Sequence, residues 1–289
     1  MSIHPLPFDE SWLTEQGEAH IVLAQVAPAA IDILRAGTGR PWVVETVRDL
    51  IGPKRCLAQI VTGDKPAILV LPELALGFDD WSVIDELVRG WDHPLILIAG
   101  FGFTRGADLN IWLGQVGPTE RHAAWRNGQG PADERVYNGG WCWVHRPEAT
   151  DCITFLKVTA EQHGEIHVDG LDIGTINLSI RLNDLIIFPV VCSDLLSVEG
   201  GHRVIPRKIA RYLEDNANDG THVLVIGLLL QKTAHERWRT AVLDVARHIN
   251  SERVNVCLVN SAHDICAMDE ETDRWRDYSG VYIAKGRRA

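Results

Sequence analysis

Positive charge is in short supply in this chain. Against 39 Asp and Glu there are only 28 Lys and Arg in 289 residues, a formal net charge of -11 with a pI near 5.5. That balance speaks against nonspecific binding to nucleic acid or to an anionic membrane. Arg203, Arg207, Lys208 and Arg211 form a local basic exception, whose spacing reads as a solvated helix face. An apolar run of membrane-spanning length is missing, and so is a secretory leader pattern, which makes a cytoplasmic location the expectation. Cysteine is present without a pattern: Cys56, Cys142, Cys152, Cys192, Cys257 and Cys266 show neither CxxC nor framework spacing. Reduced thiols fit better than a disulfide scaffold. No internal repeat and no low-complexity linker divides the chain. A single domain over 19–289 is therefore expected, long enough to bury a full core, behind an irregular, proline-bearing lead-in over 1–18.

What the chain does have is a series of short, nearly unbroken apolar runs alternating with helical patterns. His20–Val26, Ala67–Leu71 and Pro94–Gly100 read as strands, and Trp42–Ile51 and Asp80–Arg89 as amphipathic helices. Continuous apolar strands mean burial on both faces and an α/β layered fold. Between 105 and 135 the pattern degrades into glycine, proline and mixed charge, as an inserted lid or rim would. Val136–His145 with Cys152–Lys157 reads as a hairpin, as does Ile176–Ile180 with Leu185–Val191. A helix over 205–218, a strand over 222–230, a helix over 232–250, a strand over 254–260 and a closing strand over 280–285 complete the pattern.

Three of the strand-like runs end on a residue able to do chemistry. Glu73 follows AILVLP, Lys157 follows CITFL, and Cys192 follows IIFPVV. Ends of neighbouring strands converge on one edge of a sheet, where sites form. Alone, each has a plainer reading: a buried small thiol, a charge at a helix start, a solvated lysine. Together they make a working set. A carboxylate can take the thiol proton, a thiolate can attack an amide or nitrile carbon, and an ammonium with a backbone N–H can hold the oxyanion that results.

Leu71-Pro72-Glu73, Phe155-Leu156-Lys157 followed by Gly164-Glu165, and Cys192-Ser193-Asp194 together resemble the motifs of the nitrilase, or carbon–nitrogen hydrolase, superfamily. Weaker echoes lie in Tyr137-Asn138-Gly139, in the strand after Asp219-Gly220, in Ala246-Arg247 through Asn260, and in Gly280–Gly286. The resemblance covers nearly the whole chain from His20 to Lys285. It implies a four-layer α-β-β-α sandwich and amide-type hydrolysis with no metal or other cofactor. It also implies a small-molecule substrate and pairing into a homodimer or higher homo-oligomer. In this reading Glu73 is the general base, Lys157 the oxyanion partner, Cys192 the nucleophile, and Glu165 a second carboxylate. Asn138, Ser193 and Asp194 are placed at the substrate, Ser193 through its backbone N–H, and Asp194 more as a residue that holds the turn than one that takes a proton. Ser193 stands where many members carry an aromatic, Leu196–Glu199 replaces a Phe-Pro-Glu, and the segment after Lys157 lacks the usual His-Leu and proline, which leaves Glu161 as a competitor for the Glu165 role. These departures bear on the substrate more than on the chemistry.

Other readings of the same residues are a metal site in His163-Gly164-Glu165-Ile166-His167, a Cys–His hydrolase, a silent binding module, and a domain cut from a larger protein. The ten tryptophans read first as packing, and alternatively as a rim around an organic substrate.

Overall fold

The computed structural model describes residues 2–8, 19–24, 26, 39–53, 56–60, 66–116, 130–159, 170–174, 176–182, 184–218, 220–229, 235–249, 254–260 and 280–284. The first half runs β1 (Ser2–Phe8), β2 (His20–Leu23), α1 (Pro41–Ile51), α2 (Cys56–Ile60), β3 (Ala67–Val70), α3 (Trp81–Arg89), β4 (Leu95–Arg105) and α4 (Gly106–Val116). Then come β5 (Val136–Arg146), β6 (Ala149–Leu156), β7 (Leu171–Asp172), β8 (Ile176–Leu182), β9 (Leu185–Val191), β10 (Val198–Glu199) and β11 (His202–Arg203). The chain continues through α5 (Val204–Asn216), β12 (His222–Leu229), α6 (His235–His248), β13 (Val254–Asn260) and β14 (Gly280–Ala284).

Among the described residues, two six-stranded sheets carry the structure. One has the order β2-β3-β4-β5-β6 with β7 beside β5, the other β1-β8-β9-β12-β13-β14. Both hairpins expected from the sequence are present as antiparallel pairs, β5 with β6 and β8 with β9. Sequence parity explains how the first sheet is buried on both faces. Ile68, Val70, Ile96, Ile98, Cys142, Val144, Ile153 and Phe155 pack into one core together with β8, β9, β12 and β13 of the second sheet. Their alternates Leu69, Leu95, Leu97, Trp141, Trp143 and Cys152 pack into another core with α1, α3 and α4. The second sheet is covered by Ile205, Ile209 and Leu213 of α5 and by Trp238, Ala241 and Val245 of α6, at helical spacing. Pro41 opens α1 at a position where its missing N–H costs nothing.

Two expectations need correction. The lead-in is not wholly irregular: β1 pairs in parallel with β8 along all seven residues. Pro5 and Pro7 lie two apart, so both missing N–H groups fall on one side of the strand, and β1 is the sheet's edge. The segment from 105 is not all rim either. Residues 106–116 form α4, and Leu109 and Trp112 are fully buried in the helix-side core. Its low apolar contrast hid it, because several glycine and polar positions share the helix with the two anchors.

The tryptophans divide in favour of packing. Trp112 meets Trp81 edge-on at 6.1 Å and lies 6.4 Å from Trp141, which in turn contacts Trp143 at 6.1 Å. Trp91 and Trp238 are buried as well. Removing the Trp112 indole leaves a large void beneath α4, so Trp112→Ala is expected to lower the unfolding free energy by about 3–5 kcal/mol in urea titrations. A loss under about 1 kcal/mol would mark α4 as a surface appendage instead.

Candidate active site

The first candidate residue is fixed by the loop that leaves β3. Pro72 ends the strand by removing a ladder donor, and the chain turns at Glu73-Leu74 with Leu74 at φ +57°. The loop then lies along β4: Gly100 N–H donates to Pro72 O at 3.2 Å, Leu76 N–H to Gly100 O at 3.0 Å, and Gly102 N–H to Leu76 O at 2.6 Å. The approach is so close that a Cβ on Gly100 would sit 2.6 Å from Glu73 Cα and from Pro72 O. Further along, the buried Asp80 carboxylate accepts Arg40 N–H at 2.8 Å through each oxygen and Gly77 N–H at 2.7 Å. Arg40 returns its guanidinium to Leu76 O at 3.1 Å, in space that a Cβ on Gly102 would take. Burial pushes the Asp80 carboxyl above its ordinary range, and the Gly77 and Arg40 donors pull it back.

Glu73 itself is 3% exposed, and so is Lys157. Glu73 Oε1 accepts Asn138 Nδ2 at 2.8 Å and lies 3.4 Å from Lys157 Nζ. Lys157 follows β6 directly, and its backbone is clamped: its N–H donates to Asn138 O at 2.8 Å and its carbonyl accepts Gly174 N–H at 2.7 Å. Asn138 thus touches both partners, one through its side chain and one through its backbone. Gly139 and Gly140 beside it carry no Cβ because Phe155 and Leu156 of β6 pack directly against them.

Cys192 is buried at the end of β9, where the strand passes into a 3-10 turn over Cys192–Leu196. Its φ is +43°, a left-handed conformation that an L residue adopts at a cost and that clusters at functional sites. Two residues on, Asp194 is 1% exposed. Both its oxygens lie 3.1 Å from Val158 N, the amide next to Lys157. Thr159 adds hydrogen bonds through its amide and its hydroxyl. Burial pushes the Asp194 carboxyl up to about 7 despite the nearby Lys157 ammonium and these donors. The far end of the turn is held by Arg203, which donates to Leu196 O at 3.0 Å while paired with Asp244 of α6 at 2.9 Å.

Of the residues singled out from the sequence, the structure brings Glu73, Lys157 and Asn138 into direct contact and ties Asp194 to the lysine segment. Convergence on one edge of one sheet needs correction. Glu73 and Lys157 end β3 and β6, which β4 and β5 separate, and Cys192 ends a strand of the other sheet. Asn138 Nδ2 bonds Glu73, and the Asp194 carboxylate bonds the Val158 amide. Ser193 is buried and its hydroxyl has no hydrogen-bond partner among the described residues. Glu165, Glu161 and the His163–His167 stretch lie outside the described residues. Among the described residues no cluster of His, Cys, Asp and Glu could hold a metal ion. The basic group splits: Arg203 belongs to the clamp on the turn, whereas Arg207 and Arg211 are exposed on α5. The core thiols are inert by burial, which holds Cys142 and Cys152 well above the ordinary thiol range and Cys257 at about 12. Arg40, Asp80 and Arg203 were not legible as site residues. Gly100, a glycine inside the apolar strand β4, is a sign of close backbone approach.

No protein-family model matches the chain, and no curated protein does. Solved structures do. An amidase from Nesterenkonia sp., in complex with acrylamide, is 10% identical and superposes with a TM-score of 0.50 over 87% of this chain and 80% of that one. A carbon–nitrogen hydrolase superfamily protein from Xanthomonas campestris, with an arsenic adduct in its active site, is 15% identical over 84% of this chain and 76% of that one, with a TM-score of 0.47. A glutamine-dependent NAD+ synthetase from Acinetobacter baumannii is 13% identical, with a TM-score of 0.47, over 84% of this chain, which spans 38% of the synthetase's length. The first of these likenesses shows the fold: this chain has the mixed α/β fold of that amidase.

Overpacking a site this close to backbone costs about 1–3 kcal/mol. Gly100→Ala is expected to lose that much stability in urea titrations; an unchanged midpoint would mean the loop yields freely.

Proposed function

Starting from this fold, we propose that the protein is a thiol hydrolase cleaving a non-peptide carbon–nitrogen bond, an amide, through an acyl-enzyme on Cys192. The two sheets with their flanking helices are read as the four-layer α-β-β-α sandwich of such enzymes. The observation that carries the proposal is the buried contact of Glu73 with Lys157 and Asn138, joined through Asp194 to the turn that bears Cys192. A carboxylate and an ammonium buried side by side are costly for a fold to keep, and a strand-end thiol at positive φ is a second such cost.

In the proposed reaction Glu73 accepts the Cys192 thiol proton as the sulfur attacks the amide carbon. The carbonyl oxygen gains negative charge, met by Lys157 Nζ and a backbone N–H of the Cys192–Ser193 turn. Collapse breaks the carbon–nitrogen bond, and the leaving amine takes the proton from Glu73. Water, deprotonated by Glu73, then attacks the thioester. The second tetrahedral intermediate expels the thiolate, which recovers its proton, and the carboxylic acid leaves. Asn138 holds the Glu73 carboxylate in position throughout. Glu165 would act as the second carboxylate, orienting substrate and Lys157.

Cys192→Ala is expected to reduce ammonia release from amide substrates at least about a thousandfold with the fold intact by circular dichroism. A purified variant hydrolysing at the wild-type rate would remove Cys192 as nucleophile. Glu73→Gln should slow iodoacetamide alkylation of Cys192 at neutral pH on the order of a hundredfold, followed by peptide mass spectrometry. Unchanged alkylation would remove Glu73 as base. A panel of amides, N-carbamoyl compounds, nitriles and glutamine identifies the substrate; no ammonia from any, with Cys192 unreactive, would favour a binding module.

A further inference from the structure

Cys192 and Lys157 stand on different sheets, so nothing in either ladder fixes one relative to the other. Among the described contacts that span this gap, one is a side chain bonded to backbone at both of its oxygens. The Asp194 carboxylate belongs to the nucleophile's own turn and reaches the amide of Val158, one residue beyond Lys157, at 3.1 Å from each oxygen. Thr159 donates to the same carboxylate from its amide and its hydroxyl.

Resting on the reading of Cys192 as nucleophile, we infer that Asp194 is a positioning residue that latches the Cys192 turn to the Lys157 segment and so sets the reactivity of the thiol. Asp194 touches no reacting atom in this account; it acts through the backbone of Val158 and Thr159. Its burial supports the role. A carboxylate that is 1% exposed is held charged only by fixed donors and nearby cations, so it keeps its geometry or loses its charge. The charged groups facing it are Lys157 from the segment after β6 and Lys208 from α5, the latter also facing Glu199 of the β10–β11 hairpin. The opposite end of the same turn is held to α6 by Arg203 and Asp244. The turn is therefore clamped on both sides, and the Asp194 side is the one that aims it at lysine.

A mechanical latch and a mere nearby charge make opposite predictions. Removing a negative charge beside a thiol favours the thiolate and lowers the pH midpoint of alkylation. Removing a latch takes the thiol away from Glu73 and Lys157 and raises that midpoint toward the ordinary thiol value of about 8.5.

The test is the rate of iodoacetamide modification of Cys192, read by peptide mass spectrometry from pH 5 to pH 10 (roughly the span from the ordinary carboxylate range to the ordinary lysine range). For the full-length wild type a midpoint below the ordinary thiol value is expected. Asp194→Ala should move it up by about one unit or more, with a loss of reactivity at neutral pH that approaches about tenfold per unit as the midpoint rises above 7. Asp194→Asn, which keeps a carbonyl acceptor for Val158 N–H, should recover most of the reactivity. A midpoint that falls or stays in both variants overturns the latch. If Asp194→Ala does not fold, Thr159→Val decides the matter: losing one hydrogen bond to the carboxylate should raise the midpoint, and no change overturns the proposal. A wild-type midpoint already at the ordinary thiol value would instead strike the nucleophile reading on which the latch rests.

Discussion

Three ionisable side chains buried at the junction of two sheets constrain everything around them. Glu73, Lys157 and Asp194 are each 3% exposed or less, and taking an ion out of water costs several kcal/mol even after relaxation. The structure meets that cost with fixed partners. Glu73 has Lys157 and the Asn138 amide, and Asp194 has backbone donors and the lysine's charge. Two carboxylates share one ammonium here. Burial raises the Asp194 carboxyl to about 7, against the pull of the Lys157 charge and the Val158 and Thr159 donors. Deleting one member of such a cluster leaves another uncompensated, which is why buried ion pairs are poor places for neutral drift.

Strain gathers at the same junction. The non-glycine residues at positive φ among those described are Leu74, next to Glu73, and Cys192 itself. Both lie where a strand buried on both faces gives way to a tight turn, and both turns are over-determined by their neighbours. Gly100 and the Arg40–Asp80 contacts hold the first, while Val158 and Arg203 hold the second. The helices stand outside the sheets and supply apolar cover. A cleft of about 400 Å³ between α1 and α3, lined by Ile51, Val83 and Leu87, lies in that outer layer and not at the junction. A rigid two-sheet frame with chemistry confined to strand ends lets the loops vary without disturbing the site.

Much of this was legible in the sequence. Apolar runs of strand length marked β3, β4, β9, β12 and β13, because double-sided burial leaves no polar positions in them. The strand-end placement of Glu73, Lys157 and Cys192 was legible for the same reason. Their distribution over two sheets was not, since a strand's sequence records how deeply it is buried but not which strand lies beside it. Strand β1 was missed because Pro5 and Pro7 argue against a strand anywhere except at an edge. Helix α4 was missed because two buried anchors, Leu109 and Trp112, carry its packing. Arg40 and Asp80 were invisible because their meaning is a contact across forty positions of chain, and the bond from Asp194 to Val158 spans thirty-six positions in the same way.

The central claim is a covalent intermediate on one sulfur. Rapid acid quenching during turnover of an amide substrate, followed by peptide mass spectrometry, tests it most directly. The acyl group's mass is expected on the Cys192 peptide, appearing before free acid accumulates and discharged by hydroxylamine as the hydroxamate. Turnover with the Cys192 peptide unmodified at every quench time, and no hydroxamate formed, would contradict it.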